Sequence, residues 1–521
     1  MAVLTCLAAR AGAALACALV AALATGCLAH ADASRRTWRE LRTRRFTLVT
    51  DLEAPFARER AVQLEETGAA LAHFYPAPGP MRGPVSPVRV VHLSRCAELR
   101  EIVDRPVRGF VGSTIDFDFR PLIVTCEDDL FRPTIPIHEL THRFNRRAFA
   151  SLPAWLDEGL ATYYETLRVE GGRAVLGEKP LIDEPYMRSA IQLPTMGELL
   201  AMSEEQLIGL GDRRGYFAAW KLVHLLQSGS DDSRRRLDRM LRALASGTNK
   251  EDAFAAAFGD VRARLQAEYG LYHFKGSEVV YSLQHENELA VRTLPYLPAA
   301  KGAVEGERLL RRGEVHALWI DLASVRSDRA AVLDQLDRLE REDPAWNRRL
   351  YWRAVVEHRI GARGTDPVAV LRRYVELQPD DAQGWLALVT LELERVVHAQ
   401  AGDAAPGAPA AETVERDVQS LVRVATAPNQ LAAVGLYYSL RKEPDKGLGF
   451  ALRAIATDPG CGTCWETLAA LYLVDGRVDR AIFAQERAVT LAAERGVPPA
   501  MKSRLQIYQQ IAAQPGQPEA R

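Results

Sequence analysis

No sign of charge predominates in this chain of 521 residues: 66 lysines and arginines face 67 aspartates and glutamates, a formal net charge of -1. That balance removes any global case for nucleic-acid or membrane-surface binding, so function has to be sought in local constellations. Cysteine is scarce, with 7 in the chain, and the length is far beyond that of a disulfide-stapled mini-protein. A hydrophobic content of 48% with 36 glycines and 28 prolines excludes a collagen-like fibre and a wholly disordered chain. The uncharged, Ala-rich stretch from Ala11 to Gly26 falls short of the roughly 18 to 20 residues that a membrane-spanning helix needs. What remains is a globular chain long enough for two or three cores at roughly 100 to 200 residues each.

The short apolar stretch follows Arg10 and precedes small residues, the pattern of a signal peptide over residues 1–26. Two cleavage sites compete. Ala24-Thr25-Gly26-Cys27 resembles a bacterial lipoprotein box, whose cysteine would carry the lipid, and Ala29-His30-Ala31 fits an ordinary signal-peptidase site that would leave Asp32 first. The lipid anchor at Cys27 is favoured. Residues 27–40 then form a linker, in which Arg35, Arg36 and Arg39 begin a basic run, extended by Arg42, Arg44 and Arg45, that reads as a solvated lead-in to the first strand. Removal of the signal deletes Cys6 and Cys17. Cys96 with Cys126, and Cys461 with Cys464, are left able to pair in an oxidising compartment. The CxxC at Cys461 has no second pair at ligand spacing and no βαβ pattern around it, so a structural bridge or free thiols is the expectation rather than zinc or redox chemistry.

From Arg45 to Thr125 the pattern predicts strands at Arg45 to Thr50, Val88 to Ser94 and Leu122 to Cys126. A helix over Pro55 to Phe74 and a Pro-rich loop fall between them, giving an α+β unit with a mixed or antiparallel sheet. Helices then dominate: Ile135 to Phe149, Trp155 to Thr166, Gly215 to Leu226, Ser233 to Ala245 and Lys250 to Tyr269, with a turn or hairpin at Gly171. The first domain is expected to span 41–275, followed by a helical connector over 276–330.

Beyond it, Pro344 and Pro379 are 35 residues apart (379 − 344), close to the repeat length of tetratricopeptide arrays. Trp465, Leu468, Ala469, Tyr472, Ala481 and Ala488 resemble that family's positions in register, as do Leu431, Gly435, Tyr438, Ala451, Ala454 and Pro459. An earlier unit opens at Trp385 and Leu388 and is interrupted by an Ala/Pro/Gly insertion over 400–412, expected to be a flexible loop. The repeats are therefore expected over 331–510, and a disordered tail over 511–521.

The chemistry concentrates in His138-Glu139-Leu140-Thr141-His142, an HExxH motif on a helix expected on independent grounds. Histidines at i and i+4 share one helical face and present two neutral imidazoles to one ion, and Glu139 beside them can reach a water on that ion. Zinc suits such donors and leaves room for a third ligand and a water. Glu158, in the first turn of the next helix, is the expected third ligand.

Pro153-Ala154-Trp155-Leu156-Asp157-Glu158-Gly159-Leu160-Ala161 is similar to the P-x-W-L-x-E-G-L-A signature of gluzincin metallopeptidases of the peptidase MA-like type, found in bacterial exported proteins. The resemblance spans roughly residues 40 to 275 and contains no aminopeptidase-type GxMEN motif, so recognition of a substrate N-terminus is not implied. It implies an α+β zincin-like metallopeptidase domain, followed here by an all-α tetratricopeptide-like repeat domain. It also implies Zn2+ held by His138, His142 and Glu158, with hydrolysis of peptide bonds using Glu139 as general base. The further donor that such a site needs is assigned to Tyr216, with His224 as the lesser alternative and a packing role for Tyr216 left open. Asp157 is read equally as an orienting partner of a ligand histidine and as a helix-start acid, and Tyr163, Tyr164 and Glu165 as packing or solvent-facing residues. Leu122 to Thr125 is a candidate sheet edge for an extended peptide.

The expectation is an exported, cell-envelope zinc endopeptidase, acting on peptide or protein, whose repeats recruit a substrate or protein partner. The alternative is a repeat-based envelope scaffold with a weak or inactive peptidase-like module. The intact Glu139 discriminates between them, since a degenerate enzyme most readily loses its base.

Overall fold

A computed structural model describes residues 35–76, 87–103, 109–117, 121–127, 133–149, 152–178, 180, 193–211, 213–275, 278–281, 292–296, 304–361, 364–400, 409–492 and 499–513. The expected signal peptide, Cys27, Asp32, most of the insertion and the end of the tail lie outside these residues. The chain forms two compact units, each discontinuous in sequence: residues 1–61, 87–131 and 304–391 make the first, and residues 62–86, 132–303 and 392–521 the second.

The first unit is built on a mixed sheet of β1 (Arg39–Arg42), β2 (Phe46–Thr50), β3 (Val88–Leu93), β4 (Gly109–Ser113), β5 (Pro121–Cys126) and β11 (Gly306–Leu309), in the order β11-β1-β2-β3-β5-β4. β2, β3 and β5 are parallel and the outer pairings antiparallel, with Val90 opposite Ile123 between β3 and β5. The β-branched runs of the central strands are buried, as expected of strands covered on both faces. Three expectations are corrected here. Leu122 to Thr125 lies inside the sheet rather than at its edge, because β4, whose Gly-rich segment carries a weak strand signal, pairs outside it. Part of the arginine-rich lead-in is itself strand β1, in which Leu41 is fully buried, Arg39 half-buried and Arg42 exposed. Residues 276–330 are not uniformly helical, because β9 (Glu278–Tyr281), β10 (Arg292–Pro295) and β11 precede their helix.

Against this sheet pack α2 (Cys96–Val103), tied to β5 by the Cys96 to Cys126 disulfide, and α11 (Arg312–Val325), whose Trp319 meets Trp38 edge-on at 6.4 Å. Helices α12 (Arg329–Glu342), α13 (Arg348–Ile360), α14 (Pro367–Leu377) and the start of α15 (Ala382–Gln400) continue as consecutively packed helices around Leu336, Tyr351, Tyr374 and Leu388. Asp366 caps α14 and Pro367 opens it, the usual order for a helix start.

The second unit takes the greater part of α1 (Ala54–Phe74), then α3 (Thr134–Ala148), α4 (Ala154–Tyr164) and the hairpin of β6 (Arg168–Glu170) and β7 (Arg173–Leu176). Gly171 and Gly172 carry that turn at φ of 55° and 75°, a left-handed pair that glycine adopts without strain. Then come α5 (Met196–Ala201), α6 (Glu204–Gly209), α7 (Arg214–Ser228), α8 (Asp231–Ala245), α9 (Lys250–Phe258) and α10 (Arg262–Leu271), the ladder of β8 (Tyr272–Lys275) and β9 (Glu278–Tyr281), and β10 (Arg292–Pro295) pairing with β7. The unit ends in α16 (Ala411–Val424), α17 (Pro428–Leu440), α18 (Pro444–Thr457), α19 (Gly462–Val474), α20 (Val478–Ala492) and α21 (Pro499–Ala512). α17 pairs with α18 and α19 with α20, and Leu431, Ala451, Ala454, Leu468, Ala469, Ala481 and Ala488 are buried as the repeat pattern predicts. This part is an all-α, tetratricopeptide-like repeat region. Among the described residues, no helix is long and apolar enough to cross a membrane.

Candidate metal centre

α3 carries the HExxH motif and ends at Phe149, and α4 starts after Pro153, a residue that fixes an extended entry into the helix. The short connection brings the first turns of α4 against the histidine face of α3. Gly159 sets how deeply α4 sits on α7: a Cβ there would lie 2.5 Å from Val223 Cγ2 and 2.7 Å from the Ala219 carbonyl oxygen, so only glycine allows the approach. Glu158, its neighbour, is thereby held inward.

His138, His142 and Glu158 converge. The two Nε2 atoms are 3.1 Å apart, and Glu158 Oε2 lies 3.5 Å from that of His138 and 3.6 Å from that of His142. Donors about 2.0 to 2.1 Å from a tetrahedral zinc are separated by roughly 3.3 Å, so these three atoms form one face of such a coordination shell. His142 and Glu158 are 4% and 5% exposed, and buried Glu158 Oε2 has no hydrogen-bond partner among the described residues. A buried, unsatisfied carboxylate oxygen aimed at two imidazole nitrogens is costly unless a cation meets it. The residues therefore fit a zinc ion.

Each imidazole is fixed from behind. His138 Nδ1 lies 2.9 Å from Glu165 Oε2, and His142 Nδ1 lies 3.2 Å from Asp157 Oδ1. A carboxylate only accepts, so Nδ1 carries the hydrogen and Nε2 keeps its lone pair toward the centre. Asn145 donates from Nδ2 to Asp157 and accepts from the hydroxyl of buried Tyr75. Burial disfavours charge on both rings, yet the facing carboxylates outweigh it: Glu158 and Glu165 raise the metal-free His138 ring to about 9, and Asp157 and Glu158 hold His142 well above the usual imidazole value. Burial works against the charge on Glu158 too, but the imidazoles hold it well below the usual carboxylate range.

Glu139 stands half-buried on α3 beside the ligand pair. Tyr216, in the first turn of α7, places its ring 6.3 Å from that of His138, and burial together with the Glu158 charge raises its phenol well above the usual value. Gly215 makes this possible, because a Cβ there would overlap the Leu207 carbonyl oxygen. His224 is not brought to the centre. It is fully buried against Trp220 and Tyr163, its Nε2 2.9 Å from the Gly177 carbonyl oxygen, and burial lowers it to about 4. Of the residues set aside as packing or solvent-facing, Tyr163 and Tyr164 are core, but Glu165 holds His138. Its signal was its spacing: seven residues after Glu158, two helical turns along the same face. Asn145, three residues after His142, offered the same kind of signal.

The chain matches no family model and no curated protein. Among solved structures it is similar to a thermophilic TPR protein of Thermus thermophilus, at 21% identity over 38% of this chain and 99% of that one, with a TM-score of 0.31. It is also similar to MamA protein, at 16% identity over 35% of this chain and 93% of that one (TM-score 0.25), and to the human IFIT1 dimer, at 14% over 56% and 70% (TM-score 0.27). Likenesses at these TM-scores add nothing to the helix pairs described above, and none bears on the metal centre.

Proposed function

We propose that this protein is an exported zinc-dependent peptidase, in which His138, His142 and Glu158 hold the ion, Glu139 is the general base and the helical repeats recruit a substrate or protein partner. The observation that carries the reading is the triangle of donor atoms, with edges of 3.1, 3.5 and 3.6 Å, closed by a buried carboxylate oxygen that has no other partner among the described residues. Bound there, zinc would supply Lewis acidity that polarises a peptide carbonyl and brings the pKa of a water toward neutrality. Glu139 would accept a proton from water and deliver it to the departing amine. Tyr216 would donate its hydroxyl hydrogen to the oxygen that gains charge at the reacting carbonyl. Asp157 and Glu165 hold the two imidazoles in the tautomer that binds metal.

The signal-like segment supports export, and the two disulfides fit an oxidising compartment. The lipoprotein-like box supports an anchor at Cys27. A second reading, favoured by the tetratricopeptide-like helices, makes the protein an envelope interaction scaffold whose peptidase-like module is weak or inactive.

Metal analysis of the purified protein against Glu158→Ala, together with cleavage of a broad peptide library by wild type and Glu139→Gln, separates the two. Peptidase function requires zinc in the wild type, its loss in Glu158→Ala, and cleavage that vanishes in Glu139→Gln while zinc is retained. Zinc without Glu139-dependent cleavage selects the scaffold. A wild type that binds no zinc sinks the metal assignment. Mass spectrometry of the mature N-terminus distinguishes lipidated Cys27 from Asp32.

A further inference from the structure

The CxxC of Cys461 and Cys464, which the sequence presents as a structural bridge or free thiols, has an asymmetric setting in the fold. Cys461 is the half-exposed N-cap of α19, and its Sγ accepts the backbone N–H of Cys464 at 3.2 Å. Cys464 is 0% exposed and packs among Leu431, Ala432 and Ala454 of the preceding helix pair. The two sulfurs are joined as a disulfide. One sulfur is thus open to attack, and the other is sealed in the core.

The surroundings favour a thiolate at Cys461. Free N–H groups and the positive end of the helix dipole lower the pKa of a thiol at this position. Charged side chains of both signs lie at this turn: the Asp458 carboxylate Oδ1 is 3.2 Å from where a Gly460 Cβ would stand. Arg146, at the end of α3, packs at this turn, its Cβ and Cδ each 3.6 Å from where a Gly460 Cβ would stand. The Ala488 carbonyl oxygen is 3.6 Å from the corresponding point on Gly462, which brings α20 alongside. Cys96, by contrast, faces a backbone carbonyl, that of Glu127, at 3.2 Å, and its bridge closes a loop with a sequence separation of 30 against 3 for the CxxC.

We propose that Cys461 and Cys464 are a redox-active pair that exchanges disulfides with a dithiol partner, Cys461 being the sulfur attacked and Cys464 the one that departs. In the oxidised form a partner thiolate bonds to Cys461 Sγ, the bond between the two cysteines breaks, and Cys464 leaves as a thiolate and takes up a proton. The partner's second thiol gives up its proton and attacks the partner sulfur of the mixed disulfide, and Cys461 leaves as a thiolate and is protonated. The pair gains two electrons and two protons, and the partner dithiol becomes a disulfide. This activity stands independently of the zinc site.

The test titrates the full-length protein with dithiothreitol, followed by alkylation and peptide mass spectrometry. Cys461–Cys464 is expected to open at a reductant concentration at least about tenfold below that needed for Cys96–Cys126. Oxidised glutathione is then offered to two variants: Cys464→Ser takes up one glutathione on Cys461, and Cys461→Ser reacts at least about tenfold more slowly because Cys464 is buried. Equal resistance of the two bridges in the wild type overturns the proposal without reliance on any variant. So does a folded Cys464→Ser protein, by circular dichroism, that acquires no glutathione.

Discussion

Each imidazole of the pair has a carboxylate behind it and one facing it, and this decides how the site responds to pH. In the metal-free protein the His138 ring is raised from 6.5 to about 9, so its folded-state pKa exceeds the unfolded value. Stability from this group is fully present below about pH 6.5 and is lost as pH rises through about 9. Zinc displaces the proton, so its apparent affinity moves the other way, weakening as pH falls below 9. Melting of the metal-free protein should therefore drop between pH 6.5 and 9 while the zinc-induced increase in Tm grows. Parallel trends would contradict the carboxylate-held site. Removing one supporting carboxylate, by Asp157→Asn or Glu165→Gln, should weaken zinc by about 10- to 100-fold in competition with a chromophoric chelator. The convergence of His138, His142 and Glu158 was legible because HExxH and WLDEGLA are local patterns. Glu165 was not, because a carboxylate at the end of a helix looks solvent-facing until α3 is laid against it.

At the scale of elements, the geometry of the site depends on two glycines more than on any polar contact. Gly159→Ala would drive a Cβ into Val223 and the Ala219 carbonyl, separating α4 from α7 or shifting α4 along its axis. Overpacking of this kind costs about 1 to 3 kcal/mol, which thermal denaturation would register. Because Glu158 adjoins Gly159, zinc affinity should fall as well, and an unchanged affinity would show that α4 is positioned by other contacts. The helices themselves were readable from apolar periodicity, as were the central strands. β1, β4 and β11 were not: each is short, and arginines or glycines mask the alternation that marks a strand. What identifies them is pairing with strands distant in sequence, as between Arg39 and Leu309, and a single sequence does not display pairing.

At the scale of the whole molecule, the linear division into a peptidase domain at 41–275 and repeats at 331–510 does not coincide with the compact units. Residues 304–391 complete the first unit: β11 covers the edge of β1, and Trp319 of α11 closes the core against Trp38. Residues 392–521 belong to the second, in which Arg487 of α20 donates to the carbonyl oxygens of Arg146 at 3.2 Å and Phe149 at 3.0 Å, at the end of the helix that carries HExxH. The last carbonyls of a helix accept from groups outside it, and a cation also suits the negative end of the helix dipole. The helices read as repeats therefore serve two cores as well as any partner. A fragment ending at residue 275 should fail to fold cooperatively, because it exposes β1 as an unpaired edge and opens the cavity that Trp319 fills. A narrower test leaves both cores whole: Arg487→Met keeps the length of the side chain and removes its donors, at a cost of about 1.5 to 3 kcal/mol for hydrogen bonds from a charged group. If the end of α3 is held by this contact, hydrogen exchange in residues 146–149 should accelerate in Arg487→Met, with exchange in α11 and the β-sheet unchanged. Uniform acceleration across the chain would indicate a global loss of stability instead, and would separate the repeats from any specific hold on the HExxH helix.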